Sequence, residues 1–215
     1  MKELEEIFRN NEKWIQEKLS SDPKYFEKLS KGQSPRLLYI GCSDSRVAAE
    51  ELMGLKPGEV FVHRNVANLV IMTDDNVNSV VQFAVEHLKV KDIIVCGHYQ
   101  CGGVNAALHP HDMGQINSWL QTLRDVIRLH QSELNAIKNK QKRFDRLVEL
   151  NVIEQFINIL KIDHVQKSWY RTRTPNVHGW VFDVRTGKLK DLKLKMDDVI
   201  RDIRSIYKLK PVKRH

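Results

Sequence analysis

Cys42, His98 and Cys101 are the residues of this chain whose types and settings suit metal chemistry. Cys42 stands in Ile40-Gly41-Cys42-Ser43-Asp44-Ser45-Arg46, and the other two in Cys96-Gly97-His98-Tyr99-Gln100-Cys101-Gly102-Gly103. His98 and Cys101 are separated by two residues, so one turn of chain can present both to a single ion. The flanking glycines let the backbone bend and approach closely. Zinc takes four ligands; a structural site fills all four places with protein, and a catalytic site leaves one for water or substrate. Three soft ligands in a chain with only three cysteines therefore point to an enzyme.

The residues between and beside these ligands add to the site. Asp44 and Arg46, two apart, can pair so that the carboxylate stays ionised. Such a carboxylate can accept a hydrogen bond from metal-bound water, or take the fourth coordination place itself. Ser43 and Ser45 read as groups that tie up the loop backbone. Cys101 precedes a helix expected from Gly103 to Leu108, and a helix N-terminus lowers a thiol pKa. Cys96 reads as a small buried core residue. The remaining histidines lack ligand-like partner spacing and read as structural or surface groups.

These side chains need a scaffold. Residues 36–40 and 59–63 are short apolar runs that fit buried strands, as does Asp92 to Cys96. Between the last two, Val77, Val80, Val81, Ala84, Val85 and Leu88 form the stripe of a one-sided helix. Strand, helix and strand in this order make the crossover unit of a parallel sheet. Cys42 and His98 then fall at the carboxyl ends of two strands, where open α/β sheets form their sites. Helical periodicity covers 115–137 and 143–163 and recurs at 197–207. Arg185-Thr186-Gly187-Lys188 marks a hairpin at the sheet edge. Leu4, Ile7, Phe8, Trp14, Ile15 and Leu19 form an amphipathic stripe ahead of this core, and a short helix follows after Ser21-Asp22-Pro23.

The expected fold is α/β: a mainly parallel central sheet with an antiparallel edge strand, flanked by helices, with an N-terminal helical arm. It forms a single catalytic domain over 1–215. Its parts are an arm at 1–32, a zinc-site core at 35–111, a helical excursion at 115–165, edge strands at 177–195, and a C-terminal helix with a basic tail at 197–215. Hydrophobic residues at 41% and charged residues at 29% exclude a disordered or membrane-embedded chain, and no apolar run approaches the ~20 residues that span a bilayer. The acidic start Met1 to Glu6 lacks an apolar signal core, and three cysteines make no disulfide framework. Both favour a cytoplasmic location. The net charge of +8 comes without an aromatic-interleaved basic ribbon or finger spacing, so neither nucleic acid nor membrane is an expected partner.

Cys-Ser-Asp-Ser-Arg, then residues 59–68 with His63-Arg64-Asn65-Val66-Ala67-Asn68, then Cys-Gly-His-Tyr-x-Cys-Gly-Gly resemble the β-class carbonic anhydrases, the bacterial-type branch above all. The likeness runs from about residue 10 to 195. It implies one zinc per chain on Cys42, His98 and Cys101, and Asp44 with Arg46 as the catalytic dyad. It further implies a homodimer or tetramer with the N-terminal helix laid over a neighbour, and a pocket that Gln33 and Phe61 line from a neighbouring subunit. Phe83 stands at the position of a common pocket tyrosine, and Gly102 and Gly103 complete the pocket. The implied reaction is reversible hydration of carbon dioxide to bicarbonate and a proton by a zinc-bound hydroxide. Two thiolates on the metal predict activity that rises into mildly alkaline pH. One branch of the family binds regulatory bicarbonate through a tryptophan, an arginine and a tyrosine. Here Arg64 matches, but Tyr39 and Phe182 replace the aromatics and Ala48 replaces a loop proline. Bicarbonate inhibition is therefore expected to be weak or absent. The alternatives are hydrolysis of carbonyl sulfide or carbon disulfide at the same zinc, or a non-catalytic zinc or redox-sensing protein. The last requires a fourth protein ligand and has no use for Asp44 and Arg46.

Overall fold

The structure is a computed structural model that describes residues 2–207; the basic tail expected beyond them lies outside the described residues. The chain divides into two compact units between Ser34 and Pro35.

The first unit holds α1 (Lys2–Ser21) and α2 (Tyr25–Ser30). Trp14 of α1 meets Tyr25 and Phe26 of α2 edge-on, with ring centroids 6.3 and 5.3 Å apart. Leu4, Ile7 and Phe8 of the same helix remain 60–73% exposed.

The second unit is a five-stranded sheet with helices packed against it. Its strands are β1 (Leu37–Cys42), β2 (Val60–Asn65), β3 (Asp92–His98), β4 (Asn176–Asp183) and β5 (Lys188–Asp191). The spatial order is β2-β1-β3-β4-β5; the first four are parallel and β5 is antiparallel to β4. Every residue of β1 is buried, as is all of β3 after Asp92, which is why both read as unbroken apolar runs. Side chains alternate across the sheet. Leu38, Ile40, Ile93 and Val95 enter the larger core, while Leu37, Tyr39, Ile94 and Cys96 enter a smaller one with Trp180 and Phe182.

The connecting helices are α3 (Ala49–Met53), α4 (Asp75–Gln82, continued by a wider turn through His87), α5 (Gly102–Ala107), α6 (Ile116–Leu129), α7 (Gln131–Ala136), α8 (Lys140–Lys161), α9 (Asp163–Thr172) and α10 (Met196–Ile206). Asp74 caps α4 by accepting from the Asn76 N–H at 3.0 Å; Asn139 caps α8 in the same way through Lys142 at 2.9 Å. The α4 stripe Val77, Val81 and Ala84 is fully buried. Burial of each valine is worth roughly 1.5–3 kcal/mol. α8 lies close over β3 because Gly97 has no side chain: a Cβ there would sit 2.6 Å from Val152 Cγ2. Among the described residues no helix is long and apolar enough to cross a membrane.

Three details differ from the sequence reading. β4, placed among the edge strands at 177–195, is an interior strand that pairs with β3 on one side and β5 on the other; only β5 forms the edge, and it ends at Asp191. α9 falls where no helix was expected. Its start is hidden by Ile162, whose extended backbone (φ −67°, ψ 126°) breaks the line of α8. Cys42 and His98 are the last residues of β1 and β3, rather than the residues after them.

Candidate metal centre

β1 and β3 are neighbours, in register at Gly41 and Cys96, so their carboxyl ends bring Cys42 and His98 side by side. Cys101 reaches the same point from the residue before α5. The donor atoms of the three lie within 4.8 Å of one another, with the two Sγ atoms 3.8 Å apart, and all three residues are buried. His98 Nδ1 is 3.0 Å from the Tyr99 carbonyl, to which an N–H there would donate. That tautomer leaves a lone pair on Nε2. Nε2 is fully buried and has no hydrogen-bond partner among the described residues. A buried acceptor without a partner is costly, and two thiols and an imidazole nitrogen meeting at one point are the donor set that zinc favours. The residues therefore fit the metal.

The two sulfurs are too close to carry two negative charges unaided. The hydrogen bond the two sulfurs share draws the Cys42 thiol down, and that same bond, with burial, drives Cys101 up. The N–H groups of Gly103 and Val104 pull Cys101 downward, as its place before a helix suggested, but they are outweighed. Cys96, buried on its own, is pushed up to about 12, as a core thiol should be.

Asp44 and Arg46 form a two-pronged ion pair. Arg46 Nε donates to Oδ1 at 2.9 Å and Nη2 to Oδ2 at 2.7 Å, and the Arg46 N–H adds a third bond at 3.0 Å. The guanidinium holds the Asp44 carboxyl well below the usual carboxylate range. Oδ2 of this carboxylate lies 3.7 Å from His98 Nε2, so it faces the point where the three donors converge. Arg46 Nη2 also reaches the Gln100 carbonyl at 3.2 Å, tying the two loops together.

The Asp44 loop is held by a residue that the sequence did not mark for this task. Arg64 Nε donates to the Cys42 carbonyl at 2.8 Å and Nη2 to the Asp44 carbonyl at 2.6 Å. Ser43 and Ser45, expected to tie up this backbone, make no side-chain hydrogen bond among the described residues. Beyond β2, Ala67 and Asn68 take left-handed backbone angles (φ 65° and 50°). Polar side chains hold that unusual loop: among them, Trp119 Nε1 donates to the Val66 carbonyl at 2.8 Å, Asn151 donates to the Ala67 carbonyl at 2.9 Å, and Gln155 accepts from the Val70 N–H at 2.9 Å. Gly103 packs against the same loop, where a Cβ would stand 2.8 Å from Val66 Cγ1. At Gly102 a Cβ would meet nothing within 4 Å; the space beside Cys101 is open.

Of the other residues read as pocket or regulatory groups, Phe61 and Phe83 lie together, ring centroids 5.8 Å apart, with Phe83 44% exposed. Gln33 belongs to the N-terminal unit and is exposed. Tyr39 and Phe182 share the smaller core; the Tyr39 hydroxyl is buried without a hydrogen-bond partner among the described residues, and burial pushes its pKa far up.

A buried Cys-His-Cys cluster with an adjoining carboxylate–guanidinium pair, at the carboxyl ends of a parallel sheet, defines an α/β enzyme site. The family model described as carbonic anhydrase matches residues 37–189, a span that contains every residue of this cluster. A carbonic anhydrase of Emericella nidulans is 54% identical over 205 residues, covering 95% of this chain and 90% of its own. Among solved structures, a tetrameric β-carbonic anhydrase from Sordaria macrospora superposes with a TM-score of 0.86 at 38% identity, over 90% of this chain and 98% of the other. The Coccomyxa β-carbonic anhydrase in complex with acetazolamide gives 0.84 at 41% identity, over 88% and 86%. The chain belongs to the β-class carbonic anhydrase family and is a lyase.

Proposed function

We propose that this protein catalyses the reversible hydration of carbon dioxide to bicarbonate and a proton, with one zinc ion per chain held by Cys42, His98 and Cys101. The observation that carries this reading is the unpartnered, fully buried His98 Nε2 within 4.8 Å of the two cysteine sulfurs. When bound, zinc supplies a Lewis acid that makes water available as a nucleophile near neutral pH. The chain's own residues do the rest. Asp44, kept ionised by Arg46, is an acceptor that orients a water in the site. Its low pKa means that it does not keep the proton the reaction releases, which passes on to solvent. Arg46 holds both loops through Asp44 and Gln100. The open space at Gly102 admits a small linear molecule, and Gln33 and Phe61 of a neighbouring subunit, with Phe83, line the pocket.

Arg64, on this reading, is a strut for the dyad loop rather than an anion receptor, since its guanidinium is bonded to the Cys42 and Asp44 carbonyls. Weak or absent bicarbonate inhibition follows. The working unit is one catalytic domain with a helical arm, assembled as a homodimer or tetramer with exposed Leu4, Ile7 and Phe8 laid on a neighbour; the Sordaria macrospora relative is a tetramer. Three free cysteines suit a reducing compartment such as the cytoplasm.

Stopped-flow carbon dioxide hydration tests the proposal. Zinc-loaded protein should be active, chelated protein inactive, and Asp44→Asn strongly impaired with its zinc retained. Zinc-loaded protein without activity would overturn it.

A further inference from the structure

We propose that Glu149 is a positioning residue for the metal centre, acting through Tyr99 on the turn that carries His98 and Cys101. The proposal rests on the reading of those residues as metal ligands. The turn is short and conformationally costly, because Gln100 sits at φ 59°, a left-handed conformation that favours glycine. Something must keep it in place. Tyr99 is bound at both ends: its N–H donates to the Phe182 carbonyl at 3.0 Å, and its hydroxyl donates to Glu149 Oε1 at 2.7 Å. Tyr99 follows His98 directly, and its carbonyl is the partner of His98 Nδ1 at 3.0 Å. A shift of Tyr99 is therefore a shift of the imidazole.

Glu149 is itself fixed. Its side chain is only 12% exposed. Lys190 of β5 reaches Oε1 at 2.6 Å, and Arg146 one turn back on α8 reaches Oε2 at 2.9 Å. Arg185, paired with Asp183, lies over the Tyr99 ring at 5.5 Å from its centroid. A carboxylate with a cation on each oxygen stays in one place, and so does the hydroxyl that donates to it. The pairing joins α8 and the sheet edge to the metal turn, across 50 residues of sequence.

Zinc affinity of the full-length protein, measured by chelator competition, tests this. Wild type should bind one zinc per chain. Partners of metal-bound histidines typically contribute about 10–100-fold to affinity, so Tyr99→Phe and Glu149→Leu should each weaken binding about tenfold, and the double variant little further. Glu149→Gln keeps an acceptor for Tyr99 and should stay within about threefold of wild type, by the same comparison. Glu154→Leu is the control: from the same helix as Glu149, it removes the acceptor of the 2.9 Å contact with His130 and should lower stability without altering zinc affinity. Tyr99→Phe that binds zinc as tightly as wild type would overturn the proposal, even should Glu149→Leu fail to fold. Wild type that binds no zinc would overturn the metal-site reading and this proposal together.

Discussion

Replacement of Arg64 by alanine separates two roles that one guanidinium could play. The variant loses the bonds to the Cys42 and Asp44 carbonyls at 2.8 and 2.6 Å. A hydrogen bond from a charged donor contributes about 1.5–3 kcal/mol when sheltered. Arg64 is exposed, so the pair together is better set at roughly 2 kcal/mol. At about 1.4 kcal/mol per factor of ten, the paired geometry of Asp44 and Arg46 should be populated about 30-fold less. The expected outcome is a fall of about 10- to 30-fold in kcat/KM for carbon dioxide, at unchanged zinc content and in buffer free of added bicarbonate. Arg64→Lys should recover only part of the loss, since an ammonium lacks the fork that reaches two carbonyls. Stopped-flow rates across a bicarbonate series provide the assay. Cooperative bicarbonate inhibition in wild type, relieved in Arg64→Ala without loss of the basal rate, would refute the strut and restore the anion site.

Two further perturbations probe the surroundings. Gly103→Ala forces a methyl to 2.8 Å from Val66 Cγ1 and 3.2 Å from Ala67 Cβ. It should lower stability by about 1–3 kcal/mol in urea denaturation, whereas Gly102→Ala should leave stability unchanged and act on KM; equal stabilities for the two variants would contradict the packing argument. Acid should destabilise the protein through His63 and His164, whose pKa values burial holds below the ordinary 6.5. The unfolded chain takes up these protons first, so stability is present above about pH 6.5 and falls as pH drops below it. His164→Asn should flatten that slope in denaturation at a series of pH values and fixed protein concentration; an unchanged slope would remove His164 from the account.

The ligands were legible because each is a chemically distinctive residue at the end of an unbroken apolar run, and such runs become buried strands that share a site at one edge. The supports were not legible, for three different reasons. Arg64 binds backbone carbonyls, and a carbonyl carries no residue-type signal. Tyr99 and Glu149 belong to segments that only the packing of α8 against the sheet unites. Asn151 and Gln155 look like the polar face of a helix, yet both are buried and are used to hold the loop after β2. β4 was misplaced as an edge strand because the hairpin signal at Gly187 shows its antiparallel partner and says nothing of its parallel pairing with β3. α9 was missed because only Ile162 separates it from α8, at a change of direction that periodicity does not register.

X-ray absorption at the zinc edge tests the central claim most directly, because it counts the atoms around the metal. The account predicts a first shell of two sulfurs at about 2.3 Å and one imidazole nitrogen at about 2.0–2.1 Å, with one further light atom. A shell with fewer than two sulfurs, or with a fourth protein ligand that closes the site, would contradict it.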